Sequence, residues 1–393
     1  MPLPDSLLRL PASESSRFFN RFRHSTANFS HGNSVALLRT GGDFFGELFA
    51  AIQQAVHSVY LEFYIVRADR TGKHLAGLLE KAAERGVEVC LLYDYMGCFD
   101  TPAAYFRKLE SCGVHCTAFN PPPFRNGISW FDKRDHRKIA VIDSRVAFAG
   151  GLNIGDEYAG VGKSLYWRDV GVRIEGDAVH ELSRLFSESW HSESASLPLS
   201  GHAIGVHAAY GEDDLAIVSG GPHHNRSRIR DAFRMAIAGA VKSIKIETPY
   251  FVPGPTIMRA LLRAARRGVK VELILPAQID IPLVKVVNRS SYATLIKGGI
   301  EIFEREGTIL HGKVMLIDGR WSVIGSANLD QRSFHRNFEV NVIVSSSDFG
   351  KQVDEMFCED LLLSRRISLE EHEKRGMVVR IMEKMISLLN WFL

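Results

Sequence analysis

The segment His136-Arg137-Lys138-Ile139-Ala140-Val141-Ile142-Asp143 recurs in the second half of the chain as His311-Gly312-Lys313-Val314-Met315-Leu316-Ile317-Asp318. Both copies read H-x-K-x4-D. Each is followed by a short return to an asparagine, through Gly150-Gly151-Leu152-Asn153 and Gly325-Ser326-Ala327-Asn328. One H-x-K in 393 residues is noise, but two complete copies with matched tails are not. The likeness extends beyond the motifs. Leu61-Glu62-Phe63-Tyr64-Ile65-Val66 resembles Ile246-Glu247-Thr248-Pro249-Tyr250-Phe251-Val252, and the run 82–89 resembles 264–271. The spacing between copies drifts slowly along the chain, as in a duplicated domain whose loops have changed length.

Each half alternates apolar strand-like runs with helical patterns. Strands are expected over 59–66 and 87–93, with helices over 73–85 and 103–111. The second half repeats this with strands over 243–252 and 269–275 and helices over 256–267 and 283–297. The fold class is therefore α/β: two similar domains, each a mainly parallel mixed sheet flanked by helices. The domains are expected at 34–195 and 212–365, joined by a polar stretch. Residues 1–33 form an N-terminal segment and 366–393 an amphipathic helical one. In each motif, His and Lys stand two apart on a strand and share a face. The aspartates fall in turns, and the returning strands bring Asn153 and Asn328 back beside the histidines.

Composition narrows the functional classes. A net charge of +3 argues against a dedicated nucleic-acid binder. The five cysteines form neither a disulfide framework nor a zinc pattern, so no metal is expected. No signal peptide is evident, and no run approaches the roughly 18 apolar residues of a membrane span.

The duplicated set has a chemical logic. A phosphodiester repels nucleophiles through its charged oxygens, so cations and neutral donors must meet them. Lys138 and Lys313 supply charge, and Asn153 and Asn328 supply phosphate-binding amides. Imidazole is a nucleophile when neutral and an acid when protonated, both near neutral pH. His136 and His311 on opposite sides of one phosphorus can divide these roles. Each also needs a carboxylate to orient it. The first half offers Asp169 and the second Glu339, so each histidine is expected to find its partner in its own half.

These motifs resemble the phospholipase D superfamily. Several segments are similar to bacterial cardiolipin synthases of the two-motif type: 151–158, Trp167-Arg168-Asp169, Thr248-Pro249-Tyr250-Phe251-Val252-Pro253, and 325–333. The resemblance covers roughly 34–365. It implies one active site at the interface of two domains, with His136 as nucleophile and His311 as acid/base. Asp143 and Asp318, grouped with the catalytic residues, are implied to organise more than to react. Gly151 replaces a serine of the general superfamily motif, which removes one hydroxyl from the first half. The implied reaction is phosphatidyl transfer between two phosphatidylglycerol molecules through a phosphohistidine, releasing glycerol, without metal or nucleotide cofactor. Phosphatidylethanolamine is a second possible donor.

The start of the chain lacks the paired transmembrane helices of longer synthases, so a peripheral protein on the cytoplasmic face of the membrane is expected. Residues 17–23, 119–134 and 377–393 mix aromatic, apolar and basic side chains suited to a headgroup boundary. The rival readings are a phospholipase D-type hydrolase, less readily a nuclease, and a non-catalytic lipid-binding protein.

Overall fold

A computed structural model describes residues 26–122, 132–162, 166–194, 210–222 and 227–374. The basic aromatic stretch 17–23, the terminal stretch 377–393 and most of the loop before His136 lie outside the described residues.

The first half contributes β1 (Ser30–Leu38), β2 (Ser58–Phe63), β3 (Glu88–Asp94), β4 (His115–Phe119), β5 (Lys138–Ile142), β6 (Val146–Gly150), β7 (Trp167–Arg168) and β8 (Gly171–Glu175). The second contributes β9 (Asp213–Gly220), β10 (Ser243–Glu247), β11 (Phe251–Val252), β12 (Lys270–Pro276), β13 (Glu301–Arg305), β14 (Ile309–Leu310), β15 (Val314–Ile317), β16 (Trp321–Gly325), β17 (Leu329–Asp330), β18 (Glu339–Ser345) and β19 (Ser364–Arg366). The larger helices are α1 (Gly41–Gln54), α2 (Arg70–Glu84), α3 (Ala103–Ser111), α4 (Asp156–Ala159) and α5 (Ala178–Glu193), then α6 (Arg228–Gly239), α7 (Gly254–Arg266), α8 (Pro282–Ser290), α9 (Tyr292–Lys297), α10 (Gln331–His335) and α11 (Ser347–Leu362).

Fifteen strands form one sheet in the order β19-β13-β12-β10-β15-β16-β18-β9-β1-β8-β6-β5-β2-β3-β4. The β1–β9 pairing joins the halves. Within this sheet, parallel pairing is confined to β2–β3–β4 and β10–β12–β13. These are the places where a helix crosses back over the sheet. The remaining pairs, including both motif strands β5 and β15, are antiparallel. The alternating pattern correctly marks the crossovers but overstates how much of the sheet is parallel, because the motif strands turn directly into β6 and β16.

Local chemistry sets the element ends. Thr40 opens α1 with a capping box: its hydroxyl accepts from Asp43 N at 3.1 Å, and the Asp43 carboxylate accepts from Thr40 N at 3.1 Å. Asp69, Ser227 and Ser346 cap α2, α6 and α11 in the simpler way. The stretch expected as one helix over 283–297 breaks at Ser291 into α8 and α9. The strand expected over 243–252 stops at Glu247, because Pro249 has no N–H for a ladder.

The apolar faces form three main clusters. One lies between α1, α2 and the first half's sheet, another between α6, α7 and the second half's sheet. The third is shared: Ile139, Ala149 and Val172 meet Val314, Ile324 and Val340, flanked by α5 and α11. This shared core holds the two motif strands in one rigid body.

Candidate active site between the two halves

Two short cross-connections bring the motifs together. β7 pairs in parallel with β14, Trp167 opposite Ile309 and Arg168 opposite Leu310. His311 N and Gly312 N then donate to Arg168 O at 2.7 and 3.0 Å. The mirror image joins Asp135 to Phe338: His136 N donates to Phe338 O, and Phe338 N to Arg134 O, each at 2.9 Å. Each histidine therefore lies on an extended approach to its motif strand, laid against a segment of the opposite half. Neither lies within the strand itself, as the spacing had implied.

This register crosses the carboxylates. His136 Nδ1 lies 3.0 Å from Glu339 Oε2 and 3.1 Å from Oε1. His311 Nδ1 lies 2.5 Å from Asp169 Oδ2. Asp169 and Glu339 do face the imidazoles, but each partners the histidine of the other half. The within-half expectation fails because the carboxylates stand just after β7 and Phe338, the segments that reach across. In each case Nδ1 is engaged and Nε2 is left for chemistry.

The lysines lie under this arrangement, both fully buried. Lys138 Nζ donates to His136 O at 2.7 Å and stands 5.2 Å from the Tyr64 ring centre. Lys313 Nζ bonds His311 O and lies 2.9 Å from His311 Nδ1. Burial pushes Lys138 down to about 7 and Lys313 down to about 8, despite the carboxylates that oppose it. Burial likewise pushes His136 down to about 4 and lowers His311, with Lys138 and Lys313 adding to the effect. Burial alone would raise Glu339. The His136 and Lys138 charges and the Ser326 hydroxyl outweigh it and hold Glu339 below its ordinary value. Asp169 and Glu339 act on both lysines, and Lys313 acts on His136, so the two centres share one electrostatic field.

Asp143 and Asp318 stand apart from this cluster. Asp143 accepts from Val56 N, His57 N and Ser58 N at 2.9, 2.7 and 2.9 Å. Asp318 accepts from Val241 N, Lys242 N and Ser243 N at 2.9, 2.6 and 2.9 Å. Both have φ near +53°, in turns at the far end of β5 and β15. Seven residues of extended chain separate them from the imidazoles, about 20 Å. They are clamps on the start of β2 and β10, which corrects their grouping with the catalytic residues.

The asparagines are also engaged by the protein. Asn153 Oδ1 accepts from Ile65 N at 3.0 Å, and its Nδ2 donates to Tyr158 Oη at 3.0 Å. Asn153 thus keeps one amide N–H beyond these two bonds. Asn328 donates its backbone N–H to Ser333 Oγ at 3.2 Å, and its buried Oδ1 has no partner.

An aromatic wall was not anticipated. Tyr64 lies edge-on to His136 with centroids 5.0 Å apart, and Tyr158 and Trp167 stand 5.6 and 5.1 Å from the His311 ring. The repeated Glu62 and Glu247 were noticed only as repeat markers. Both are fully buried behind the motif strands, and desolvation raises both, Glu247 to about 8. Charged residues inside otherwise apolar strand runs were the available signal. Among the described residues, no group of three or more His, Cys, Asp or Glu side chains is placed to hold a metal ion.

Comparison with known proteins agrees with this geometry. A family model described as "Cardiolipin synthase, PLD-like domain" matches residues 48–190 and 233–361. The cardiolipin synthase of Geobacillus kaustophilus (strain HTA426) is 36% identical over 99% of this chain and 78% of its own length. The major cardiolipin synthase of Bacillus subtilis (strain 168) is 33% identical over 93% of this chain and 76% of its own. In solved structures, the phosphatidylserine synthase of Haemophilus influenzae Rd KW20 shares the fold, with a TM-score of 0.70 at 13% identity over 96% of this chain and 98% of that one. Two matched halves, two crossed His–carboxylate pairs and relatives alike over nearly the whole chain lead to one assignment: the chain belongs to the phospholipase D superfamily, in the PLD-like domain family of cardiolipin synthases.

Proposed function

We propose that this chain is a cardiolipin synthase that transfers a phosphatidyl group from one phosphatidylglycerol to another through a phosphohistidine. The observation that carries the reading is the crossed pairing of His136 with Glu339 and His311 with Asp169 above two buried lysines. In the first step His136 Nε2 attacks phosphorus, and the bond from phosphorus to the glycerol oxygen breaks. His311 gives its proton to that oxygen. In the second step a hydroxyl of another phosphatidylglycerol loses its proton to His311, attacks phosphorus and displaces His136. Glu339 supports the nucleophile by accepting a hydrogen bond from Nδ1–H, which leaves the Nε2 lone pair free, and it stabilises the positive charge that grows during attack. Lys138, Lys313, Asn153 and Asn328 are assigned to the diester oxygens.

His311 must hold a proton when it acts as acid, yet burial lowers its affinity in the free enzyme. The bound diester brings a negative charge into a low-dielectric space and raises imidazole basicity there. Proton uptake is thereby coupled to substrate binding, and the pair titrates as a unit.

The same phosphohistidine resolved by water would give phosphatidic acid, the outcome of a hydrolase. No described helix is long and apolar enough to cross a membrane, and we assign the protein to the cytoplasmic membrane surface, where both lipids reside. Purified protein incubated with labelled phosphatidylglycerol vesicles separates the readings. Cardiolipin with stoichiometric free glycerol is expected. Phosphatidic acid without cardiolipin would replace the synthase with a hydrolase. Vesicles carrying labelled phosphatidylethanolamine test the second donor.

A further inference from the structure

The segment Thr248-Pro249-Tyr250-Phe251-Val252-Pro253 plays no part in the histidine chemistry above, yet it is pinned against the site. β11 pairs in parallel with β17, Phe251 opposite Leu329 and Val252 opposite Asp330. Asn288 clamps it from α8: its Oδ1 accepts from Phe251 N at 2.9 Å, and its Nδ2 donates to Pro249 O at 3.1 Å. Tyr250 is thereby carried next to the strand that follows Asn328. Its hydroxyl donates to Asp280 Oδ2 at 2.6 Å. Asp280 is exposed in the loop before α8, and its charge is felt by His311, Lys313 and Tyr158. Among the described residues the first half has no such pair. Tyr64, the repeat partner of Tyr250, lies against His136 and Lys138 instead.

A carboxylate at this rim repels a phosphate, so the pair is not part of the diester site. Tyr250 Oη donates to Asp280 and keeps its lone pairs for accepting. Asp280 keeps a second oxygen. Together they present adjacent acceptors on the His311 side, where the leaving and entering alcohols exchange protons. Two acceptors side by side fit two neighbouring hydroxyls. An ammonium headgroup fits less well, because the Lys313 cation lies in the field of the same carboxylate. We infer that Tyr250 and Asp280 form the subsite for the vicinal hydroxyls of a glycerol headgroup and set the preference of the enzyme for polyol lipids. This rests on the phosphatidylglycerol reading above.

The test compares two labelled donors in mixed micelles: phosphatidylglycerol, and a phosphatidylpropanol whose headgroup has three carbons and no hydroxyl. Headgroup release is followed in a single turnover with the full chain in excess, which reports kcat/KM of the first step and needs no acceptor hydroxyl. Asp280→Asn is expected to lower kcat/KM for phosphatidylglycerol about tenfold, the scale of one hydrogen bond to a charged group, chiefly through KM. Phosphatidylpropanol turnover should stay within about twofold. Tyr250→Phe should show the same selective loss, somewhat smaller. Because Asp280 is exposed, its melting temperature serves as the folding control. Equal losses on both donors, or no loss on either, would overturn the subsite while leaving the synthase reading standing. Wild-type enzyme that releases neither headgroup would overturn both.

Discussion

The two histidine centres are copies of one motif, but they are completed in different ways. On the His136 side, the partner carboxylate is the longer Glu339, and Ser326 Oγ donates to it at 2.5 Å. Asn337 Nδ2 adds a bond at 3.3 Å. On the His311 side, the partner is the shorter Asp169, supported by its own neighbour's Val170 N at 2.8 Å. Gly151 occupies the position of Ser326. A Cβ there would lie 2.2 Å from Asp169 Oδ1, closer than any real contact. The absent hydroxyl of the first half is thus not a gap. The shorter carboxylate has to come nearer, and it fills the space that a serine would need. Gly151 with Asp169 and Ser326 with Glu339 are two solutions to one geometric problem, each internally matched.

The comparison predicts how the centres break. The largest effect is expected at His136. His136→Ala should remove turnover by a factor on the order of 10⁴ or more, measured as cardiolipin formed per enzyme, because no other group supplies the nucleophile. Glu339→Gln keeps the size of the side chain but not its charge. It should cost about 10²–10³-fold in kcat, read well below the melting temperature, and some thermal stability at pH 7, where the ionised Glu339 stabilises the fold.

Next come the matched pairs. Gly151→Ser should displace Asp169 and cost about 1–3 kcal/mol in stability by overpacking, with a clear loss of activity. Ser326→Gly removes the donor to Glu339 and the acceptor of Val340 N and should cost about 1–2 kcal/mol. Melting curves that rank these two in the opposite order would break the matched-pair account.

Asp143→Ala and Asp318→Ala should act on stability alone. Each leaves three N–H groups at a strand start without their acceptor. A loss of about 1–3 kcal/mol is expected for each, with kcat unchanged well below the melting temperature. Lost kcat in a folded Asp143→Ala enzyme would return that residue to the chemistry.

The pH profile is the mildest probe. His136 binds its proton only below about 4, so the nucleophile stays neutral through the physiological range. Lys138 and Lys313 lose their charges as pH rises through about 7 and about 8. kcat/KM, which reports the free enzyme, should therefore fall on an alkaline limb centred between these values. kcat should fall at higher pH, because the bound phosphate holds the lysine protons in place. A kcat/KM profile flat to pH 10 would show that the lysines remain charged in the free enzyme.

Much of this arrangement could be read from the residues. The H-x-K-x4-D copies and the following carboxylates pointed to the histidines, lysines and carboxylates that the structure gathers, but not to the aromatic wall around them. The alternation of apolar runs and helices located most strands and helices to within a few residues. Three things were beyond it. Which carboxylate serves which histidine depends on β7–β14 and Asp135–Phe338, contacts between distant segments that no local pattern encodes. The role of Asp143 and Asp318 depends on what lies opposite their turns, the N–H groups of Val56–Ser58 and Val241–Ser243. The extent of antiparallel pairing depends on hairpin returns after β5 and β15, which look in sequence like any other strand ends.

The central claim is that imidazoles from two halves act in turn on a single phosphorus. The most direct measurement uses His311→Ala, which keeps the nucleophile, slows the first step by removing its acid, and leaves the intermediate without the base that resolves it. The variant is mixed with short-chain phosphatidylglycerol, quenched in base to preserve phosphohistidine, digested and examined by mass spectrometry. The account predicts a phosphatidyl adduct on His136 that accumulates with release of about one glycerol per enzyme. An adduct on any other residue, or full release of glycerol with none formed, would contradict it.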